Sequence, residues 1–162
     1  QALAKRPKDP TIRNNLGNAL IYSGHLEEGL AELREAIRLD PASLDPRFNL
    51  ANTLAQAGRA AEAAEEFAEL VRRHPEDADG RNRYGNLLLA QGRPGEAIPH
   101  LEAAARRQPD NADFLNQLGI ALARAGRLRE ALANFEAALA VAPKHPTSAH
   151  NAALARQRVG GG

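Results

Sequence analysis

Apolar and polar positions along the chain repeat with a period of 34 residues, and inside each period the apolar positions fall at helical spacing. With four blocks numbered from Pro10, Leu44, Ala78 and Ala112, position 7 holds Leu16, Leu50, Tyr84 and Leu118, and position 11 holds Leu20, Leu54, Leu88 and Leu122. The four-residue step makes one stripe on a helix. Position 8 holds Gly17, Ala51, Gly85 and Gly119, small enough to let a neighbouring backbone approach. The second half of each block carries the complement: Gly29, Ala63, Ala97 and Ala131 at position 20, Leu33, Phe67, Leu101 and Phe135 at position 24, and Ala36, Leu70, Ala104 and Ala138 at position 27. Each block therefore predicts two short helices, packed small against large.

The boundaries of those helices are punctuated on the same beat. Pro7, Pro41, Pro75, Pro109 and Pro143 end the second helices, and Gly24, Gly58, Gly92 and Gly126 mark the turn between the two. Asp9, Ser43, Asp77 and Asn111 stand two residues after a proline, where a side-chain oxygen can accept from free N–H groups of the next helix. Pro10 and Pro146 suit a first helical position, and Asp45, Asp79 and Asp113 suit the positive end of the helix dipole. Glu28, Glu62, Glu96 and Glu130 at position 19 are read the same way. Pro99 is the one break; together with Pro94 and Gly95 it predicts a late start and a bend for the second helix of the third block.

The period and these columns resemble the tetratricopeptide repeat, whose pattern runs W-x2-L-G-x2-Y, then A-x3-F, then P. The resemblance implies an all-α right-handed solenoid: the end of a preceding helix over 1–9, repeats over 10–43, 44–77, 78–111 and 112–145, a C-terminal capping helix over 146–159, and a glycine tail over 160–162. The chain departs from the pattern at position 4, where Arg13, Arg47, Arg81 and Leu115 replace an aromatic column. Two readings of the arginines stand: reception of an acidic partner, or pairing with Asp45, Asp79 and Asp113 while their stems cover the adjoining repeat.

Composition narrows the function. A net charge of +1 gives no strong field toward nucleic acid or an anionic membrane. No apolar run reaches membrane-spanning length, and the absence of cysteine excludes disulfide and thiolate chemistry without naming a compartment, cytoplasmic or periplasmic. Catalysis is not expected: Ser23, Ser43 and Ser148 have no histidine at a fixed repeat offset. His25, His74, His100, His145 and His150 occupy unrelated repeat positions, so no metal site is expected and no cofactor motif is present. A first residue other than methionine and an entry in mid-repeat suggest part of a larger polypeptide.

The asparagines of the first helices carry the functional expectation. They recur as Asn14, Asn82 and Asn116 at position 5, Asn15 and Asn49 at position 6, and Asn18, Asn52 and Asn86 at position 9, although asparagine is a mediocre helix former. Positions 5 and 9 share a face away from the apolar stripe. An amide offers both a donor and an acceptor, matching a peptide unit, so the chain is expected to bind an extended peptide or partner segment. In the family that face lines the concave groove. The alternative is structural, with Asn15 and Asn49 bonding to the adjoining repeat.

Family members that clamp a C-terminal carboxylate give a partial match: Asn18, Asn49 and Arg83 fit, whereas Asn14 and Asp79 stand where lysines belong. The candidate peptide-binding set is thus Asn14, Asn18, Asn49, Asn52, Asn82, Arg83, Asn86 and Asn116. Competing readings are a self-assembling element joined through its repeat ends, Ala2 to Arg6 or Ala149 to Arg158, and a substrate-recruiting region of a larger enzyme such as a glycosyltransferase.

Overall fold

In the computed structural model, residues 8–160 are described. Most of the expected preceding helix end, residues 1–7, and the last two glycines lie outside the described residues. Nine helices and no strand occur among the described residues: α1 Pro10–Tyr22, α2 Leu26–Leu39, α3 Leu44–Gln56, α4 Ala60–Arg73, α5 Ala78–Ala90, α6 Pro94–Arg107, α7 Ala112–Arg124, α8 Leu128–Val141 and α9 Pro146–Gly160. They fall into two compact units, Gln1–Pro75 with α1 to α4 and Glu76–Gly162 with α5 to α9.

The helix starts follow the cap chemistry. The Asp9 carboxylate accepts from the Thr11 and Ile12 N–H groups, Asp77 from Gly80, and the Asn111 side chain from Phe114. Ser43 occupies the same position and makes no side-chain cap bond. Each hairpin turn places its glycine in the left-handed region, with φ of 86°, 76°, 74° and 79° at Gly24, Gly58, Gly92 and Gly126. There a Cβ would crowd the following carbonyl, so glycine is the residue that fits.

The second helices start differently from their expectation. Glu62, Glu96 and Glu130 do sit in the first turn, but each also takes two charge-assisted bonds from an arginine at the N-cap, Arg59, Arg93 and Arg127. These surface pairs hold the carboxyls of Glu62, Glu96 and Glu130 below the usual carboxylate range through the hydrogen bonds they accept. The helix with Pro99 is also corrected: α6 begins at Pro94, in register with the other second helices, not late. Proline is well suited to a first helical position, and the carbonyl that Pro99 leaves without its N–H belongs to exposed Gly95, open to water.

Packing follows the columns. Positions 8, 20, 24 and 27 are buried in all four repeats. In the first unit Leu30, Leu33, Leu50, Leu54 and Phe67 are shut off from solvent, and in the second Leu88, Leu101, Leu118, Leu122 and Phe135 form one cluster that continues into Ala152 and Ala155 of α9. Burying each large side chain contributes about 1.5–3 kcal/mol. The small column is there because the helices touch: a Cβ on Gly85 would stand 2.6 Å from Leu101 Cγ, and one on Gly119 would enter the Phe135 ring.

In the first hairpin two glycines meet. A Cβ on Gly29 would lie 2.7 Å from the Gly17 carbonyl oxygen, and one on Gly17 2.9 Å from the Gly29 carbonyl oxygen. Backbone cannot step aside as a side-chain tip can. Gly29→Ala is expected to cost about 1–3 kcal/mol in urea unfolding. Gly95→Ala, where an added Cβ meets nothing within 4 Å, should be neutral or stabilising by up to about 1 kcal/mol. Equal effects at the two positions would contradict the close-contact account.

Candidate functional site

The candidate asparagines separate into two groups. In the first unit Asn49 Nδ2 donates to Asn14 Oδ1 at 3.0 Å, linking α3 to α1. The bond runs from position 6 of one repeat to position 5 of the repeat before it, so both amides serve the seam between first helices. Asn18, exposed, and Asn52, half-buried, form no hydrogen bond with any other side chain among the described residues.

The second unit repeats the seam. Asn151 Nδ2 donates to Asn116 Oδ1 at 3.2 Å, again 35 residues apart, and Ser148 Oγ donates to the same oxygen at 3.1 Å. Asn116 is only 4% exposed. It is therefore corrected from a groove residue to an interior one: its acceptor is spent on α9, and a ligand cannot reach it. Within the second unit one rung is missing. Asn82 Oδ1 is buried with no hydrogen-bond partner, and the residue 35 positions on is Gln117, whose longer side chain stands where an asparagine serves elsewhere. Asn86, one turn along α5, likewise keeps a buried Oδ1 without a partner, and Arg83 is exposed.

Ser148 belongs to a larger polar cluster. His145 Nδ1 stands 2.7 Å from Ser148 Oγ and accepts from the Ser148 backbone N–H at 3.3 Å, while His145 Nε2 is 3.0 Å from Asp113 Oδ1. Serine, histidine and aspartate in this order echo a nucleophile with its base and orienting acid. Ser148, however, has no exposed surface, so no substrate carbonyl can approach it. The hydroxyl has one proton to give, either to Asn116 or to His145. The array caps and anchors α9. Local proximity built it, which repeat offsets do not reveal.

Two members of the arginine column pair with a glutamate of their own hairpin. Arg13 Nη1 donates to Glu32 Oε2 and Arg47 Nη1 to Glu66 Oε2, both at 2.6 Å. Position 4 thus faces position 23 of its own second helix in the first two repeats. Arg47 is 8% exposed, so the pair is largely withdrawn from water and from any acidic partner. In the third repeat position 23 is His100, half-buried with its ring centroid 4.7 Å from that of Tyr84. Burial, and next the charge of Arg81, lower its pKa, with Glu96 opposing them.

Among the described residues no cluster of ligating side chains suits a metal ion, and no helix is long and apolar enough to cross a membrane. What the geometry offers is a stack of helical hairpins with amide-bearing first helices. That defines a helical-repeat scaffold of the kind that presents a face to other chains. The Tetratricopeptide repeat profile matches residues 14–78, 48–112 and 83–149, so the chain belongs to the tetratricopeptide-repeat family, and its fold class is the all-α solenoid.

Solved structures agree. YrrB, described as a TPR protein with an unusual peptide-binding site, superposes with a TM-score of 0.85 at 26% identity, covering 97% of this chain and 81% of YrrB. A MamA fragment from Desulfovibrio magneticus RS-1 gives 0.84 at 22% identity over 92% of this chain and 84% of its own. PilF of Pseudomonas aeruginosa gives 0.78 at 24% over 92% and 68%. No curated protein sequence matches the chain.

Two expectations follow. Gln117→Asn should supply the missing rung to Asn82 Oδ1 and stabilise the protein by about 1 kcal/mol; a lower unfolding midpoint would show that the 35-residue register is not what selects asparagine. For His100 the folded pKa lies below the unfolded one, so its contribution is present above the ordinary value of about 6.5 and is lost as pH falls through the folded pKa. Thermal midpoints should therefore drop between pH 7 and pH 5, and His100→Gln should flatten that slope; an unchanged slope would remove His100 from the account.

Proposed function

We propose that this protein is a protein-interaction scaffold whose first-helix amides hold extended peptide or partner segments, Asn18 and Asn52 serving in the first unit and Asn86 in the second. Membership of the family supports the coarser part, an interaction scaffold without catalytic machinery of its own. The finer part rests on one observation: the position 9 amides remain uncommitted, while at positions 5 and 6 Asn14 with Asn49, and Asn116 with Asn151, spend theirs on each other. A buried amide oxygen without a partner, as on Asn86, is costly to leave unmet, so the amide gains by turning outward to accept a peptide N–H.

Asn82 and Arg83 flank this set on α5, and Asn82 shares the same unmet acceptor. Asn14 and Asn49 retain only the atoms their mutual bond leaves free. The peptide-binding site in the description of YrrB makes the reading reasonable for this chain as well. Recruitment of a substrate to a neighbouring enzyme domain would use the same amides.

The test is selection of peptides from a random phage-displayed library against the whole chain, followed by titration of the synthesised winners. Changing Asn18, Asn52 and Asn86 together to alanine should weaken capture at least 10-fold, about 1.4 kcal/mol, with the far-ultraviolet circular dichroism unchanged. Undiminished affinity in that variant would end the proposal, and loss of helicity would reassign these amides to the fold.

A further inference from the structure

The second unit carries a feature that the amides do not explain. Position 9 turns from asparagine to Ile120 in α7 and Leu154 in α9, and position 13 turns to Arg124 and Arg158. These four residues, with Leu128 and Phe135 of α8, line an open recess of about 200 Å³. Leu154 is 42% exposed at its mouth. The Arg124 Nη1 donates to the Leu89 carbonyl oxygen at 2.9 Å, which fixes the guanidinium at the rim while its other N–H groups remain available.

Charge is distributed unevenly around this recess. Residues 112–162 contain six lysines and arginines and three carboxylates, a net of +3, against −2 for residues 1–111 and +1 for the whole chain. All three carboxylates are already engaged: Asp113 with His145 at 3.0 Å, Glu130 with Arg127 at 2.6 Å and Glu136 with Arg156 at 2.7 Å. Arg124, Arg129 and Arg158 have no carboxylate partner among the described residues.

We infer that this recess is a specificity pocket for an acidic peptide segment, taking one large apolar side chain between Ile120, Leu154 and Phe135 while flanking Asp or Glu residues meet Arg124 and Arg158. Guanidinium forks favour carboxylates in two-bond geometry, and partial exclusion of water by the apolar floor strengthens the contact. The inference rests on the reading of the protein as a peptide-binding scaffold but uses a separate set of residues. A uniformly amide-lined face would accept any extended backbone; this end adds a preference for sequence.

The probes are three fluorescein-labelled pentapeptides, acetylated and amidated so that no terminal carboxylate contributes: Glu-Glu-Phe-Glu-Glu, Glu-Glu-Ala-Glu-Glu and Gln-Gln-Phe-Gln-Gln. Anisotropy titrations with the whole chain should favour the first over each of the others by at least 10-fold, with affinity falling as salt rises. Leu154→Gln and Arg158→Gln should each cut that preference at least 5-fold, whereas Lys144→Gln, the same loss of charge outside the recess, should not. The Asn18, Asn52 and Asn86 triple alanine variant should retain the preference, so failure of the amide reading and failure of this one are told apart. Equal binding of the three peptides, equal effects of Arg158→Gln and Lys144→Gln, or a second copy of the chain closing the recess in sedimentation would overturn the inference.

Discussion

Everything in this protein depends on how closely the two helices of a hairpin can approach. A residue without a side chain, or with a methyl group alone, lies on the first helix beneath a leucine or phenylalanine of the second, and the fit is tight enough that an added Cβ on Gly85 or Gly119 would enter its partner. The close approach makes a thin sandwich of two helices a viable core without a central hydrophobic mass. It explains how a chain with 4% aromatic residues can build a buried interior: leucine fills the space that small residues leave. It also turns the opposite faces of both helices outward, where the polar columns stand.

The polar seam is a second constraint, layered on the first. Apolar stripes of leucine and alanine fix which faces meet but tolerate sliding by a residue or so, because one aliphatic contact resembles another. An amide bonded to the amide 35 residues earlier does not tolerate it. A net hydrogen bond contributes only about 0.5–1.5 kcal/mol, whereas a buried amide left unmet costs about 1–3 kcal/mol, so the seam acts mainly against wrong registers. Asn82, with its unmet oxygen opposite Gln117, marks the place in the second unit where this selection is weakest.

The fold was legible from spacing because packing is periodic: the columns at positions 8, 20, 24 and 27 are buried in every repeat, those at positions 7 and 11 are buried except at Leu16, Leu20 and Tyr84, and every turn glycine has positive φ. Pro99 misled because its effect depends on whether the carbonyl it strands is buried, and at Gly95 it is solvated. The candidate site was less legible. Positions 5 and 9 lie on one helical face, yet position 5 tilts into the seam, and only coordinates distinguish an amide facing a neighbour from one facing solvent. The arginines show the same limit. Their pairing with Glu32 and Glu66 joins residues 19 apart across a hairpin, a distance that the acidic column at the helix starts obscured.

Polar residues at the same repeat position thus come to play different parts according to what the next helix offers. Asn116 and Asn14 are the same residue at the same position, but Asn116 meets Ser148 as well as Asn151 and is closed off, whereas Asn14 meets Asn49 alone and stays half open. The difference lies in α9, whose first turn brings His145 and Ser148 over the seam and joins it to Asp113. At the start of α9 side chains meet the groups that a helix end leaves over: His145 Nδ1 accepts from the Ser148 N–H, and the Ser148 hydroxyl reaches the Asn116 amide. The constellation that resembles a catalytic array is, on this argument, the chemistry of a helix cap assembled from residues that elsewhere would serve a reaction.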